Sequence, residues 1–393
     1  NIDSLVDELV RAKILPVALS FSTLQDVFTY LNTLPQKMVV VIDEYPYLKV
    51  MNEPTTVDSV FQSIIDNRLG NIELILSGSH IGMMKDLLQE KNALYGRFAV
   101  TIKLNELNYL DTAKFYPDKT PYDKVAHYAV FGGSPFVNQA LRPTATLREN
   151  IVSTILNPVS AVYLYASQLL LSDYSVKINA ERIFAVIGNG KKRYSEIEDK
   201  LDVKKTGNLA KQMKPLRDLE IISRNYPIND SKKSTFEIND NLLRFYFTFI
   251  YKNASALQVL GAEAFYDEYV APTLTDFISR RFEGICRDYF SLQVRSGKLK
   301  GVRNIGSYYY DDPVHRKNGE FDVALELADG YAIYEAKYYA QPMTLDEIHR
   351  EAQQVANIKE LAVKQLGFIA INGFVEQEKP YTYLDGNDIF AGM

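Results

Sequence analysis

The sequence has one cysteine, Cys286, and no tryptophan. A single thiol excludes a disulfide framework and a cysteine-rich zinc site, and it suits a reducing cytoplasm as the expected location. The four histidines, His80, His127, His315 and His349, are too scattered for metal-ligand spacing. No stretch approaches the ~18 uninterrupted apolar residues of a membrane span, so no membrane partner is expected. An excess of positive charge is missing as well. The formal net charge of -5 argues against wholesale coating by nucleic acid and leaves room only for a local basic patch. Nowhere does the chain read G-x-x-x-x-G-K-S/T, the phosphate-binding loop. Its nearest imitation, GNGKKRY at 188–194, has Ala185 where the first glycine belongs. Position 1 is Asn, not Met, and no signal peptide follows, which suggests a start inside a domain.

What is present is globular. The chain is 47% apolar and 24% charged, and its 393 residues are too many for one ordinary core, so two or three domains are expected. Residues 21–34 carry an apolar stripe at helical spacing, from Phe21 through Leu24, Val27, Phe28 and Leu31 to Leu34. The β-branched run 38–42 reads as a buried parallel strand, 57–69 as a helix, and IELILSGS (72–79) as a second buried strand ending in small polar residues. Strand, helix, strand in that order predicts an α/β sheet with crossover helices. Near FGGSPF (131–136) the strands stop and helices take over.

VVVIDEYPYL (39–48) runs an apolar strand straight into an Asp–Glu pair. In a nucleotide-hydrolysing strand the first carboxylate helps hold Mg2+ and the second polarises the attacking water. Asp43 is therefore a candidate cofactor and metal residue, and Glu44 a candidate catalytic one. The motif is weak alone, because many buried strands end in acids. Ser77 or Ser79 would meet a γ-phosphate or the water from the second strand, Arg97 in LYGRF would neutralise phosphate charge, and Pro135 in FGGSP would pack on a base. Together, VVVIDEYPYL, LILSGSHIGMM, LYGRF and FGGSP resemble the archaeal-type ATPases of the AAA+/STAND class of P-loop NTPases.

That resemblance implies Walker B at Asp43 and Glu44, a sensor near 77–79 and a lid Gly-x-Pro motif at 133–135. It implies ATP and Mg2+ as cofactors and leaves homo-oligomerisation open. The implied architecture is an incomplete P-loop NTPase-like parallel core at 1–120, a helical lid at 121–178, a winged helix at 179–254 and a C-terminal domain at 255–393. In that class the phosphate loop precedes the helix at 21–34. Its absence predicts weak ATP binding, if any, by residues 1–393.

Residues 181–240 read as three short helices and a hairpin, a winged-helix pattern with 208–219 in the recognition position. Lys204, Lys205, Lys211 and Lys214 sit on or near that helix and would contact DNA. Asp202, Asp218 and Glu220 dilute the patch, and a packing module with a solvated face suits the same residues.

NGEFDVALELADGYAIYEAKYY (318–339) is the most informative stretch. Asp329-Gly330 is the strongest short hairpin signal. Taken as a two-residue loop, it sets Asp322 opposite Lys337 and Glu335 opposite Ala324. Period-2 alternation then puts Asp322, Glu335 and Lys337 on one face with Glu320 and Glu326. The other face collects Phe321, Val323, Leu325, Leu327, Ala332, Tyr334 and Ala336, so one face is core and the other a carboxylate cluster. Adjacent carboxylates are costly unless a divalent cation bridges them, which points to Mg2+-dependent phosphodiester chemistry. Glu283 in the preceding helix would add a third carboxylate, and Gln353 or Gln354 in the following helix a hydrogen bond. The alternative is a solvated hairpin face with a Glu–Lys cross-strand pair. Asp-x12-Glu-Ala-Lys resembles the PD-(D/E)XK nuclease signature. The resemblance implies a restriction-endonuclease-like α/β domain, Asp322 and Glu335 as metal ligands, Lys337 as the catalytic lysine with Glu335, Glu283 as accessory ligand, and DNA as partner.

Overall fold

A computed structural model of the chain describes residues 2–391 apart from 52–53, 68, 174–179, 189, 191, 203–207 and 313–314. Two compact units result, residues 1–104 and 105–393. No helix among the described residues is long and apolar enough to cross a membrane.

In the first unit the apolar stripe of 21–34 folds as the helix Leu24–Leu31. Thr23 begins it with a capping box: the Asp26 amide donates to the Thr23 hydroxyl, and the Thr23 amide donates back to the Asp26 carboxylate at 2.9 Å. The strand β1 (Met38–Ile42) lies parallel to β2 (Ile72–Leu76), Met38 opposite Ile72 and Ile42 opposite Leu76. The helix Pro54–Asn67 lies between them in sequence, as a parallel crossover requires. Val27, Phe28, Leu31 and Ile64 pack with Met38, Val40, Ile72 and Leu74. The expectation of strands buried on both faces is not met. Val39, Val41 and Ile75 are 58%, 56% and 49% exposed, because this sheet has two strands and the helices meet only the face that carries Val40 and Leu74. The buried charge of this unit lies elsewhere. Lys49 Nζ stands 2.7 Å from the Asp58 carboxylate, which also accepts from Tyr45 Oη at 2.7 Å and Asn92 Nδ2 at 2.9 Å.

The second unit begins with helices only, as the loss of strand signals after 131 predicts. Tyr109, Val125, Phe131 and Ile151 from this helical stretch share one core with Phe277, Phe282 and Phe290 of the long helix Ala271–Arg295, and with Val323, Tyr334 and Ile369 of the C-terminal sheet. The regions expected as lid (121–178) and C-terminal domain (255–393) therefore meet in a single core. The segment expected to form a winged helix has its own core, in which Ile183, Phe184, Ile197, Leu209, Leu216 and Phe236 come together. Its third helix is Asn208–Asp218, and its wing is the antiparallel pair β3 (Ile222–Asn225) and β4 (Thr235–Ile238).

The C-terminal sheet has five strands in the order β5 (Asn304–Asp312), β6 (Lys317–Glu326), β7 (Tyr331–Lys337), β8 (Val363–Ala370) and β9 (Thr382–Asp385). The first three are antiparallel neighbours. β7, β8 and β9 run parallel, with the helix Leu345–Ala356 as the crossover between β7 and β8. The hairpin register differs from expectation by two residues. Val323 faces Tyr334 and Glu326 faces Tyr331, so the turn spans 327–330 and is closed by the Leu327 amide on the Gly330 carbonyl at 2.8 Å. Tertiary contacts override the local Asp-Gly signal. Asp329 pairs with Lys364 at 2.9 Å, and a side chain at Gly330 would run into the Ala362 carbonyl.

The free edge of β5 is covered by the wing. The Ile228 amide donates to the Ser307 carbonyl at 2.8 Å, and Asn229 exchanges two hydrogen bonds with the Tyr309 backbone. Covering an edge in this way satisfies backbone groups that would otherwise invite another strand.

Candidate functional site

Two of the carboxylate pairs singled out in the sequence come together in the structure, one in each unit. In the first, Asp43 and Glu44 leave the C-terminal end of β1 beside the polar end of β2. Ser77 Oγ donates to Asp43 Oδ1 at 2.5 Å, and the Ser79 hydroxyl and amide reach Glu44 Oε2 at 3.1 and 3.3 Å. Glu44 holds a left-handed backbone, φ +51°, which turns the chain sharply into the next helix. Gly78 lets Pro46 approach closely, since a Cβ there would lie 2.5 Å from Pro46 Cδ. The structure thus brings together Asp43, Glu44, Ser77 and Ser79. Arg97 does not join them: its guanidinium forks onto Asp66 at 2.8 and 2.9 Å. Pro135 belongs to the other unit, where it opens the helix Pro135–Ala140. The preceding glycines have local reasons. Gly132 ends a helix at φ +68°, and Gly133 lies against the Leu107 backbone with no room for a side chain.

The second cluster is made by a β-bulge. Gly306 pairs with Ala324 but Tyr308 pairs with Phe321, so Asp322 and Val323 together oppose Ser307. Beyond the bulge the alternation of β6 changes phase. Phe321 packs with Ala324, Ile333 and Tyr310 on the side of Val355, whereas Val323 packs on the side of the long helix. This corrects the expected face assignment in two respects. Phe321 lies apart from Val323, and the carboxylate face is itself core at Ala324 and Ile333, with Asp322 and Glu335 at the end away from the turn. At that end the main-chain ladder of β6 and β7 stops, and the Asp322 side chain takes its place by accepting the Ala336 amide at 3.0 Å. Continued by one residue, the register sets Asp322 opposite Glu335, in place of the expected Lys337.

The electrostatics follow from this crowding. Asp322 and Glu335 crowd into one buried end of the face. Burial pushes Asp322 well above the usual carboxylate range, and the nearby charges of Glu335 and Glu283 push it further. Burial raises Glu335 too, against the opposing pull of Lys337. Lys337 Nζ sits 2.7 Å from Glu335 and 3.4 Å from Glu351. Burial alone would lower the lysine, but Glu335, Glu351 and Asp322 outweigh it and hold the ammonium protonated. Tyr310, stacked on Phe321 at 4.3 Å between centroids, is pushed up to about 12 by burial and by Glu335 and Glu351. Its hydroxyl accepts from Gln354. Cys286, buried in the long helix, has its thiol raised by burial first and by Asp322 second, so it is not a reactive thiolate.

Among the described residues, no three His, Cys, Asp or Glu side chains already form a metal cage. The donors still suit one kind of ion. Two adjacent buried carboxylates are hard oxygen ligands, and Mg2+ commonly takes one or two carboxylates and keeps its remaining waters. Residues 246–353 match the family DUF234, described as archaeal and bacterial proteins of unknown function. The matched segment includes Glu283, Asp322, Glu335, Lys337 and Glu351. The chain is also 28% identical over 283 residues to an uncharacterized protein of Methanocaldococcus jannaschii, a match that covers 70% of this chain and 62% of that protein.

Glu351 is missing from the site expected from sequence, and Tyr310, in the aromatic run 308–310 that reads as a core strand, lies on β5. Glu351 was legible in principle, because it lies three residues before Gln354 and so shares its helix face. Gln353 turns instead to Asn357 at 3.1 Å. Of the basic residues proposed for DNA, Lys204 and Lys205 fall outside the described residues. Lys211 is exposed, and Lys214 is exposed but paired with Asp218 at 2.6 Å. Lys233 of the wing lies over the Tyr309 ring at 4.4 Å.

Proposed function

We propose that the DUF234-matching part of the chain is a nuclease-like module of the PD-(D/E)XK kind that acts on DNA, coupled to an AAA+/STAND-type ATP-binding region. The bulge at Asp322 carries this reading. It frees one carboxylate from the sheet ladder, sets it against Glu335, and leaves Lys337 on the same face. Asp322 and Glu335 would hold a divalent cation, with Glu283 close by. Bound there, Mg2+ would supply an activated water and charge stabilisation at the phosphate. The chain's own part is positioning. Glu335 and Glu351 keep Lys337 protonated, so Lys337 serves as a fixed positive charge for a phosphate oxygen and not as a base. Gln354 and Tyr310 brace the floor of the cluster. For the ATP-binding region, support comes from Asp43 and Glu44 at the carboxyl end of a parallel strand, where α/β sheets bind their ligands, with Ser77 and Ser79 beside them.

Cleavage of plasmid and short duplex DNA with Mg2+ or Mn2+, with and without ATP, tests the proposal. Glu335→Ala and Lys337→Ala should each reduce cleavage by about 10²–10³-fold with the circular dichroism unchanged. Cleavage that survives both substitutions would refute it.

One observation favours a second reading. Lys337 closes an ion triad with Glu335 and Glu351, an arrangement that needs no metal. A nucleotide-controlled regulatory or scaffold protein with a vestigial C-terminal site would look the same. Mg2+ should raise the melting temperature through Asp322 and Glu335 if the site works, and leave it unchanged if it is vestigial.

A further inference from the structure

A cavity of about 560 Å³ opens between the β3–β4 wing, the long helix and the first residues of β5. Four arginines line it: Arg224, Arg244, Arg281 and Arg287. Glu237 faces two of them at once, with its carboxylate 3.4 Å from Arg244 and 3.3 Å from Arg281, and it accepts from Asn225 as well. The Arg244 and Arg281 side chains are only 6% and 9% exposed. Three of their nitrogens, Nε and Nη1 of Arg244 and Nε of Arg281, have no hydrogen-bond partner among the described residues. Orphaned buried donors are uncommon in folded proteins, and charged ones are the costliest to leave unmet. Asp288 and Glu320 also line the cavity, so four guanidiniums stand against three carboxylates, with donors to spare.

The other two arginines hold the rim. Arg224 lies over the Tyr226 ring at 5.1 Å and bonds Ser234, and Arg287 donates to the Asp322 carbonyl at 2.6 Å. Space is available where the helix passes. A Cβ at Gly284 would meet only Arg287 Nη2, at 3.9 Å.

We propose that this cavity binds a phosphate group. Arg244 and Arg281 form its inner wall, and Arg287 links the bound anion to the strand that carries Asp322. Guanidinium forks match the spacing of phosphate oxygens. Phosphate on a small molecule and phosphate in a nucleic-acid backbone share this chemistry. The proposal stands on the cavity and does not depend on DNA cleavage.

The test is binding to the full chain in EDTA, by calorimetry with pyrophosphate and by anisotropy with a short labelled single-stranded DNA. Arg281→Gln should weaken binding at least about tenfold. Because that substitution disturbs a buried ion pair, Gly284→Asp carries the decision: it adds an internal carboxylate beside Arg287 at an open helical position. Binding should be lost in Gly284→Asp and kept in Gly284→Ala. If only the pyrophosphate response follows this pattern, the ligand is a small phosphate compound. If both do, a backbone phosphate occupies the site. No binding of either probe, or binding of both unchanged in Gly284→Asp, overturns the proposal.

Discussion

The two carboxylate pairs make an instructive contrast. Asp43–Glu44 and Asp322–Glu335 both stand at the ends of apolar strands, yet they differ in what surrounds them. In the first unit one sheet face is open, Asp43 is exposed, and each carboxylate has a serine hydroxyl for a partner. In the second unit the sheet is covered on both faces, the carboxylates are half-buried against each other, and a lysine lies between Glu335 and Glu351. Chemical type is the same in both places, and burial decides whether a pair of acids stores electrostatic tension. In the first unit the buried charge is instead the ion pair Lys49–Asp58, away from the motif.

The contrast can be sharpened at three points. The largest expected effect is at Lys49. Lys49→Met leaves Asp58 buried with only Tyr45 and Asn92, and should cost about 3–5 kcal/mol. Hydrogen exchange across the helix Pro54–Asn67 should report it as lost protection, and a change under 1 kcal/mol would mean that Asp58 is not effectively desolvated.

An intermediate effect is expected at His127, a buried base in the second unit. Asn150 Nδ2 lies 3.3 Å from its Nε2, and Nδ1 stands 2.8 Å from the Asp123 carbonyl, a pattern that the neutral ring with its proton on Nδ1 satisfies. Burial holds its pKa down at about 4, below the ordinary 6.5. The unfolded chain therefore takes up a proton that the folded one refuses. The stability is fully present above pH 6.5 and drains away as pH falls toward 4, by on the order of 3 kcal/mol. Urea midpoints measured from pH 7 to 4 should show this slope, and His127→Gln should flatten it.

The smallest effect is expected at the exposed pair. Ser77→Ala removes one hydrogen bond from Asp43 and should cost no more than about 1 kcal/mol by thermal melt. A loss above twice that would place Asp43 in a tighter environment than its exposure indicates.

Much of the fold was legible, and the exceptions share a cause. The stripe of 21–34, the parallel pair β1 and β2, the three short helices and hairpin of 181–240 and the strand–helix–strand order of the C-terminal sheet all follow from periodicity, which is local. The hairpin register was not legible, because Asp329 answers to Lys364 and Gly330 to Ala362, both more than thirty residues on. Nor was the bulge. Residues 320–326 alternate without a break in sequence, and only the mismatch between β5 and β6 forces Asp322 and Val323 to oppose one residue. A two-residue register error keeps every side chain on its face, which is why Asp322, Glu335 and Lys337 were grouped correctly from a wrong pairing. The one-residue bulge does change the face, so Phe321, beyond it, lies opposite the side that alternation predicts.

By itself, the sequence determined which elements form and which residue types stand near each strand end, because helix and strand periods depend on neighbours a few positions apart. Tertiary structure alone decided that Asp322 meets Glu335, that Glu351 reaches Lys337 from another helix, and that Arg97 turns to Asp66. It alone gathered four arginines around one cavity. Proximity and burial set the strength of a charge interaction, and both are properties of the folded chain.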